Sequence, residues 1–294
     1  MSERTRRQLT WKLLDLLKEA TGFLASRQLE SPRLEAELLL AAALGVRRLD
    51  LYLQFYKILT EAEVATFRAF VRERLAGRPS QYITRSAAFR LLDLEVDESV
   101  LVPRPETEIL VDEALAFLRG TPSPRVLDIG CGSGAIAVSI ARELETARLL
   151  ATDLSPAALL VARRNAMRHD VADRIHFVCA DLCRGLTPRP WFTAIVANLP
   201  YVATAEVDTL QPEVRDHEPR LALDGGPDGL AVMCRLAASA RTHLAPGGRL
   251  FLEVGAGQAG AVAARLAAAG FSSPADVRPD LSGIARIVSA ATPD

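Results

Sequence analysis

Two short runs hold the residues best suited to chemistry. Val126-Leu127-Asp128-Ile129 leads into Gly130-Cys131-Gly132-Ser133-Gly134, and Ile195-Val196-Ala197 leads into Asn198-Leu199-Pro200-Tyr201. In each, the apolar residues read as a buried strand and the rest as the loop at its end, where open α/β sheets bind ligands. Glycines at 130, 132 and 134 let the main chain turn tightly and approach a ligand closely. A helix opening at Ala135 would offer its free N–H groups. Gly130, Gly132 and Ala135 also satisfy the dinucleotide pattern G-x-G-x-x-G/A. Asp153 suits a ribose hydroxyl pair in either case, because a carboxylate accepts both protons in charge-assisted bonds. Asp181, at the end of the next strand, could meet an adenine amino group.

The second run separates the possibilities. A planar amide or aromatic amine is a poor nucleophile because its lone pair is delocalised, so an enzyme that uses one must aim it. Asn198 offers a side-chain carbonyl. Leu199 offers a main-chain carbonyl, fixed because Pro200 restricts the residue before it. Tyr201 offers a flat face to pack against the planar group. Acceptors on both N–H bonds would orient the nitrogen, and well-oriented groups supply roughly 7–11 kcal/mol of a barrier. Such a turn has a use in methyl transfer and none in hydride transfer. Asp128 agrees, since a carboxylate suits the ammonium and sulfonium of S-adenosylmethionine (SAM) better than a pyrophosphate. The two runs together point to methyl transfer from SAM to a nitrogen. No general base is obligatory, because the cationic product nitrogen readily sheds a proton.

These loops need a sheet to hold them. From Arg125 onward, apolar strands alternate with helical patterns. The expected strands are 125–129, 148–153, 175–180, 192–198, 249–254 and 284–290, with helices at 135–143, 156–169 and 230–244 among those between. The fold class is α/β, a doubly wound, mostly parallel sheet with helices on both faces. Pro246-Gly247-Gly248 reads as a turn. Residues 1–76 read as a small helical bundle: Leu9, Leu13, Leu16 and Leu17 recur at helical spacing. Ser31 and Pro32 open a second helix as N-cap and first residue, and Gly45 ends it. Thr60 and Glu63 form a capping box for a third helix running to Leu75. Residues 77–103 read as a β linker, and 104–294 as the catalytic domain, whose first helix runs from Glu106 through Arg119.

The chain has 294 residues, a length that suits about two domains. Its net charge of −1 gives no electrostatic case for stable binding to nucleic acid or an acidic membrane. The basic clusters (Arg4, Arg6, Arg7; Arg47, Arg48; Arg163, Arg164) are short and read as solvated faces. No apolar run reaches the roughly 18 residues of a membrane span, and the charged N-terminus is no secretory signal. A cytoplasmic, monomeric protein is expected. Cys131, Cys179, Cys183 and Cys234 match no zinc spacing and read as reduced thiols, with no metal site.

Asp128–Gly134, Asp153, Asp181 and Asn198–Tyr201 resemble the motifs of class I (Rossmann-like) SAM-dependent amino-methyltransferases. Within them the chain resembles the HemK/PrmC family, which methylates the glutamine N5 of peptide chain release factors. The resemblance extends to the helical N-terminal domain, to Val102-Pro103-Arg104-Pro105-Glu106-Thr107-Glu108, Glu253-Val254-Gly255 and Asp280–Arg286. It implies that the Gly-Gly-Gln glutamine of release factors is the acceptor and that the helical domain helps grip the release factor. By position, it implies SAM contacts from Asp128, Gly130, Cys131, Gly132, Ser133, Gly134, Asp153, Asp181, Leu182 and Asn198. The amide would be held by Asn198, Leu199, Pro200 and Tyr201, with Arg104 also contacting substrate. Two positions depart from the family: Leu199 replaces its usual proline, and Leu182 an often aromatic residue. Asn-Leu-Pro-Tyr is also similar to the string in ribosomal RNA adenine dimethyltransferases, which makes a nucleic-acid adenine N6-methyltransferase the alternative. Those enzymes have the opposite domain order.

Overall fold

A computed structural model describes residues 11–293, which divide into two units between Arg85 and Ser86. Leu9, Arg4, Arg6 and Arg7 lie outside the described residues. The first unit holds α1 (Leu13–Ser26), α2 (Pro32–Leu44), α3 (Glu61–Leu75) and α4 (Ser80–Thr84) around a core of Leu13, Leu17, Leu39, Leu40 and Phe67. Helix α3 opens with the expected capping box: Thr60 Oγ1 accepts from Glu63 N, and Glu63 Oε2 accepts from Thr60 N. Gly45 ends α2 in the left-handed region at φ +65°. Ser31, expected as an N-cap, instead lies at φ +49° and makes no side-chain cap, so Pro32 alone pre-shapes that turn. The stretch 77–103 is not all β. It contains α4, and its strands are only β1 (Ala87–Phe89) and β2 (Leu92–Leu94).

The second unit continues with α5 (Pro105–Leu118), β3 (Arg125–Ile129), α6 (Ala135–Glu143), β4 (Arg148–Asp153), α7 (Pro156–Arg168), β5 (Ile175–Cys179) and β6 (Phe192–Ala197). Then follow α8 (Thr204–Val207), α9 (Pro212–His217), α10 (Ala231–Ala240), β7 (Leu244–Glu253), α11 (Ala259–Ala268), β8 (Asp276–Pro279) and β9 (Ala285–Ala291). Seven strands form one sheet in the order β5-β4-β3-β6-β7-β9-β8. The first five are parallel, and β9 runs antiparallel to both β7 and β8. Alternate residues of each central strand face opposite layers. Val126, Ala194 and Val196 pack with α5, α6 and α7, whereas Leu127, Ile129 and Ile195 pack with α10 and α11.

Three elements differ from expectation. Helix α10 ends at Ala240, because the chain from Leu244 is already strand. Pro246-Gly247-Gly248 lies inside β7, which starts early by pairing Leu244 with Phe192 before its register shifts. Strand β8 was not expected, since all four of its residues are exposed and it has no buried apolar alternation.

The order places the glycine loop and the Asn198 turn at the ends of neighbouring strands. Val126–Ile129 is in register with Ala194–Ala197. From β3 the chain moves outward to β4 and β5, then returns to β6 on the other side. That reversal opens a crevice at the strand ends.

Candidate active site

The crevice is a cavity of about 340 Å³. Gly130, Cys131, Gly132, Ser133, Asp153, Asp181, Leu182, Asn198, Leu199, Pro200 and Arg104 line it. Asp128, Gly134 and Tyr201 stand behind the lining.

The glycine loop has the strained shape its sequence calls for. Gly130, Gly132 and Gly134 lie at φ +72°, +52° and +81°. A Cβ on Gly130 would meet Leu199 Cδ2 at 3.1 Å, and one on Gly134 would meet Ala162 at 3.1 Å. The loop therefore packs directly on the Asn198 turn and on α7. Asp153 ties the loop to the next one: Oδ2 accepts from Gly132 N at 2.8 Å and Oδ1 from Ser155 N at 2.9 Å. Each oxygen keeps a further lone pair for a ligand hydroxyl.

Asp128 is fully buried. Its Oδ2 accepts from Ala137 N at the start of α6, and Oδ1 has no partner among the described residues. Burial pushes its carboxyl up to about 7, opposed by the Ala137 N–H and reinforced by Asp153. Burial likewise raises the Cys131 thiol well above its ordinary range, so it stays a thiol. At the far wall, Asp181 pairs with Arg235, and Leu182 adopts φ +55°.

Asn198 follows β6. Its Nδ2 donates to Thr107 Oγ1 at 2.9 Å, and the Thr107 hydroxyl donates to Glu253 Oε2 at 2.6 Å. Thr107 sits in the first turn of α5, within Pro103–Glu108, and Glu253 ends β7. Both are buried. Burial pushes Glu253 up to about 7; the Thr107 bond opposes this, Glu106 adds to it, and Arg286 and Asn198 oppose it. No donor among the described residues reaches Asn198 Oδ1 or the Leu199 carbonyl. Two oxygens beside the cavity are thus left with free lone pairs.

The turn is supported from behind. Tyr201 rests against Gly255, and its main-chain carbonyl accepts from Gln258 Nε2 at 2.8 Å. Burial, with Glu253 near, pushes its phenol up to about 12. Val202 N donates to Leu223 O, and Gly225 N to Val202 O. Gly225 lies so close that a Cβ there would sit 2.6 Å from the Pro200 carbonyl oxygen. Arg104 donates from Nη2 to the buried Glu218 Oε2 at 2.6 Å. Burial raises the Glu218 carboxyl, and Arg104 opposes the rise.

Sequence reasoning assigned no role to Thr107, Glu253, Glu218, Gly225 or Gln258. Thr107 and Glu253 lay inside strings that carried the family resemblance, and this was the only signal pointing to them.

The residues fit SAM. A loop that excludes side chains, an acidic residue at the end of β4 and apolar wall residues suit a nucleoside, and the unpartnered Asp128 Oδ1 suits a cation nearby. Comparisons with known proteins agree. Residues 15–84 match the family model described as PrmC N-terminal domain, and 126–217 match a methyltransferase domain. The chain is 42% identical to a release factor glutamine methyltransferase of Geobacter sulfurreducens over 284 residues, 97% of this chain and 98% of that one. It is 45% identical to the one from Chlorobaculum tepidum, covering 83% and 85%. A methyltransferase structure from Pyrococcus furiosus shares the fold at TM-score 0.51 and 18% identity, covering 77% of this chain and 98% of that one. With a glycine-lined crevice beside an Asn-Leu-Pro-Tyr turn, and with relatives this similar along nearly the whole chain, this protein belongs to the release factor glutamine methyltransferase family.

Proposed function

We propose that this protein transfers a methyl group from SAM to the side-chain nitrogen of the Gly-Gly-Gln glutamine in peptide chain release factors. The observation that carries the reading is the pair of acceptors with free lone pairs, Asn198 Oδ1 and the Leu199 carbonyl, on a turn packed against the glycine loop.

When bound, SAM supplies an electrophilic methyl on a sulfonium. Gly130–Gly134, with Cys131 and Ser133 in the loop, would cradle its amino-acid end. Asp128 would balance positive charge from below. Asp153 would accept from the ribose hydroxyls, Leu182 would cover the adenine, and Asp181 would face its amino group. Asn198 and Leu199 would each accept one N–H of the glutamine amide, which turns the nitrogen lone pair toward the sulfonium side. Pro200 would hold the Leu199 carbonyl in place. Tyr201, set back from the lining, would present the face on which the amide packs. Arg104, anchored by Glu218, would contact substrate main chain. The gain is positional and electrostatic. The proposal also places the protein in the cytoplasm, acting as a monomer without stable binding to nucleic acid.

Labelled SAM offered to release factor and ribosomal RNA together tests the reading. Label in the protein is expected; label in the RNA overturns it in favour of an adenine N6-methyltransferase.

A further inference from the structure

We propose that Thr107 and Glu253 are positioning residues that set which end of the Asn198 carboxamide faces the cavity. The consequence for catalysis rests on the proposed function.

The two ends of an asparagine amide have nearly the same shape, and only hydrogen bonding tells them apart. A glutamine NH2 needs the oxygen end, since an opposing NH2 would repel it. A hydroxyl has one proton. Thr107 gives its proton to Glu253 Oε2 at 2.6 Å and so meets Asn198, at 2.9 Å, with lone pairs alone. Asn198 must then turn its Nδ2 toward Thr107, leaving Oδ1 for the cavity.

An ionised Glu253 accepts only, and it imposes this sense on the whole chain. A proton on Oε2 reverses it. Glu253 then donates to Thr107, Thr107 donates to Asn198 Oδ1, and the NH2 end turns to the cavity. Charged and titratable groups face Glu253 from each packed element: Glu106 from α5, Arg286 from β9, and Tyr201 beyond β6. Arg286 is itself paired with Asp280. Burial holds the Glu253 carboxyl near 7, so the reversal falls within an accessible pH range.

Nuclear magnetic resonance of the free full-length protein tests the geometry. The Asn198 side-chain N–H signals, assigned by their loss in Asn198→Asp, should shift with a midpoint near pH 7 and stay fixed in Glu253→Gln. Kinetics at saturating substrates test the consequence. Thr107→Val should lower kcat about tenfold or more with KM nearly unchanged, and Thr107→Ser should stay within about threefold of wild type. Wild-type kcat should fall on the acid side of pH 7, and that limb should vanish in Glu253→Gln. Signals that do not move with pH, or a wild-type kcat in Thr107→Val, overturn the inference. A titrating Asn198 amide in a wild-type protein that leaves glutamine unmethylated supports it and overturns the proposed reaction instead.

Discussion

Asn198 Nδ2 lies 2.9 Å from Thr107 Oγ1, although 91 residues separate them in the chain. The bond joins the turn after β6 to the first turn of α5, between two residues that line the crevice. It leaves the Asn198 amide oxygen free of any partner among the described residues, and the proposed acceptor chemistry depends on that oxygen.

Asn198→Ala should therefore remove catalysis while sparing cofactor binding. An electrostatic contact made chiefly in the transition state is worth roughly 100-fold or more in kcat. Single-turnover methyl transfer should fall by about that factor. SAM affinity by calorimetry should stay within about threefold, because the glycine loop and Asp153 are untouched.

Asp153→Ala should show the opposite pattern. It removes the charged acceptor proposed to meet the ribose hydroxyls and frees Gly132 N and Ser155 N. Hydrogen bonds to charged groups are worth about 1.5–3 kcal/mol. SAM affinity should drop by roughly ten- to a hundredfold, and unchanged affinity would remove Asp153 from the site.

Gly225→Ala tests the support behind the turn. Its Cβ would fall 2.6 Å from two backbone carbonyl oxygens, those of Pro200 and Gly229. Relief requires the Asn-Leu-Pro-Tyr turn, or the 225–229 segment packed against it, to move. A loss of roughly 1–3 kcal/mol is expected from overpacking, together with a fall in kcat. Gly257→Ala is the control. It sits at φ +81° in open space, so it should cost only about 1–2 kcal/mol of backbone strain and keep its kcat.

Asp128 gives the protein a stability that depends on pH. Its carboxyl is raised to about 7 by burial, so between its ordinary value and 7 the folded state holds a proton that the unfolded state has lost. Stability from this group is full below about pH 4 and disappears as pH rises through about 7. In urea unfolding, Asp128→Asn should lack this slope. Relative to wild type it should gain on the order of 4 kcal/mol as pH rises between those limits. Parallel curves would contradict the assignment.

Much of this was legible in the sequence because it is local. The limits of β3, β4 and α6 follow from apolar runs meeting glycines or an acidic residue, and the loop shape follows from Gly130, Gly132 and Gly134. Other features depend on distant partners. Strand β7 begins at Leu244 because Phe192 pairs with it. Strand β8 exists through β9 alone, with no buried face of its own to mark it. Likewise Thr107 and Glu253 are 146 residues apart, and no spacing rule says that they touch. Gly225 reads as a loop glycine until the Pro200 carbonyl is seen against it. Asp128 suits a cationic cofactor by its residue type, but nothing in the spacing says that one of its oxygens is held by Ala137 N of α6.

The most direct test maps the methyl group. Release factor incubated with this protein and SAM is digested and analysed by fragmentation mass spectrometry. The account predicts one added methyl, on the side-chain nitrogen of the Gly-Gly-Gln glutamine, and almost none with Asn198→Ala. A methyl on any other residue, or an unmodified glutamine beside turned-over SAM, would contradict it.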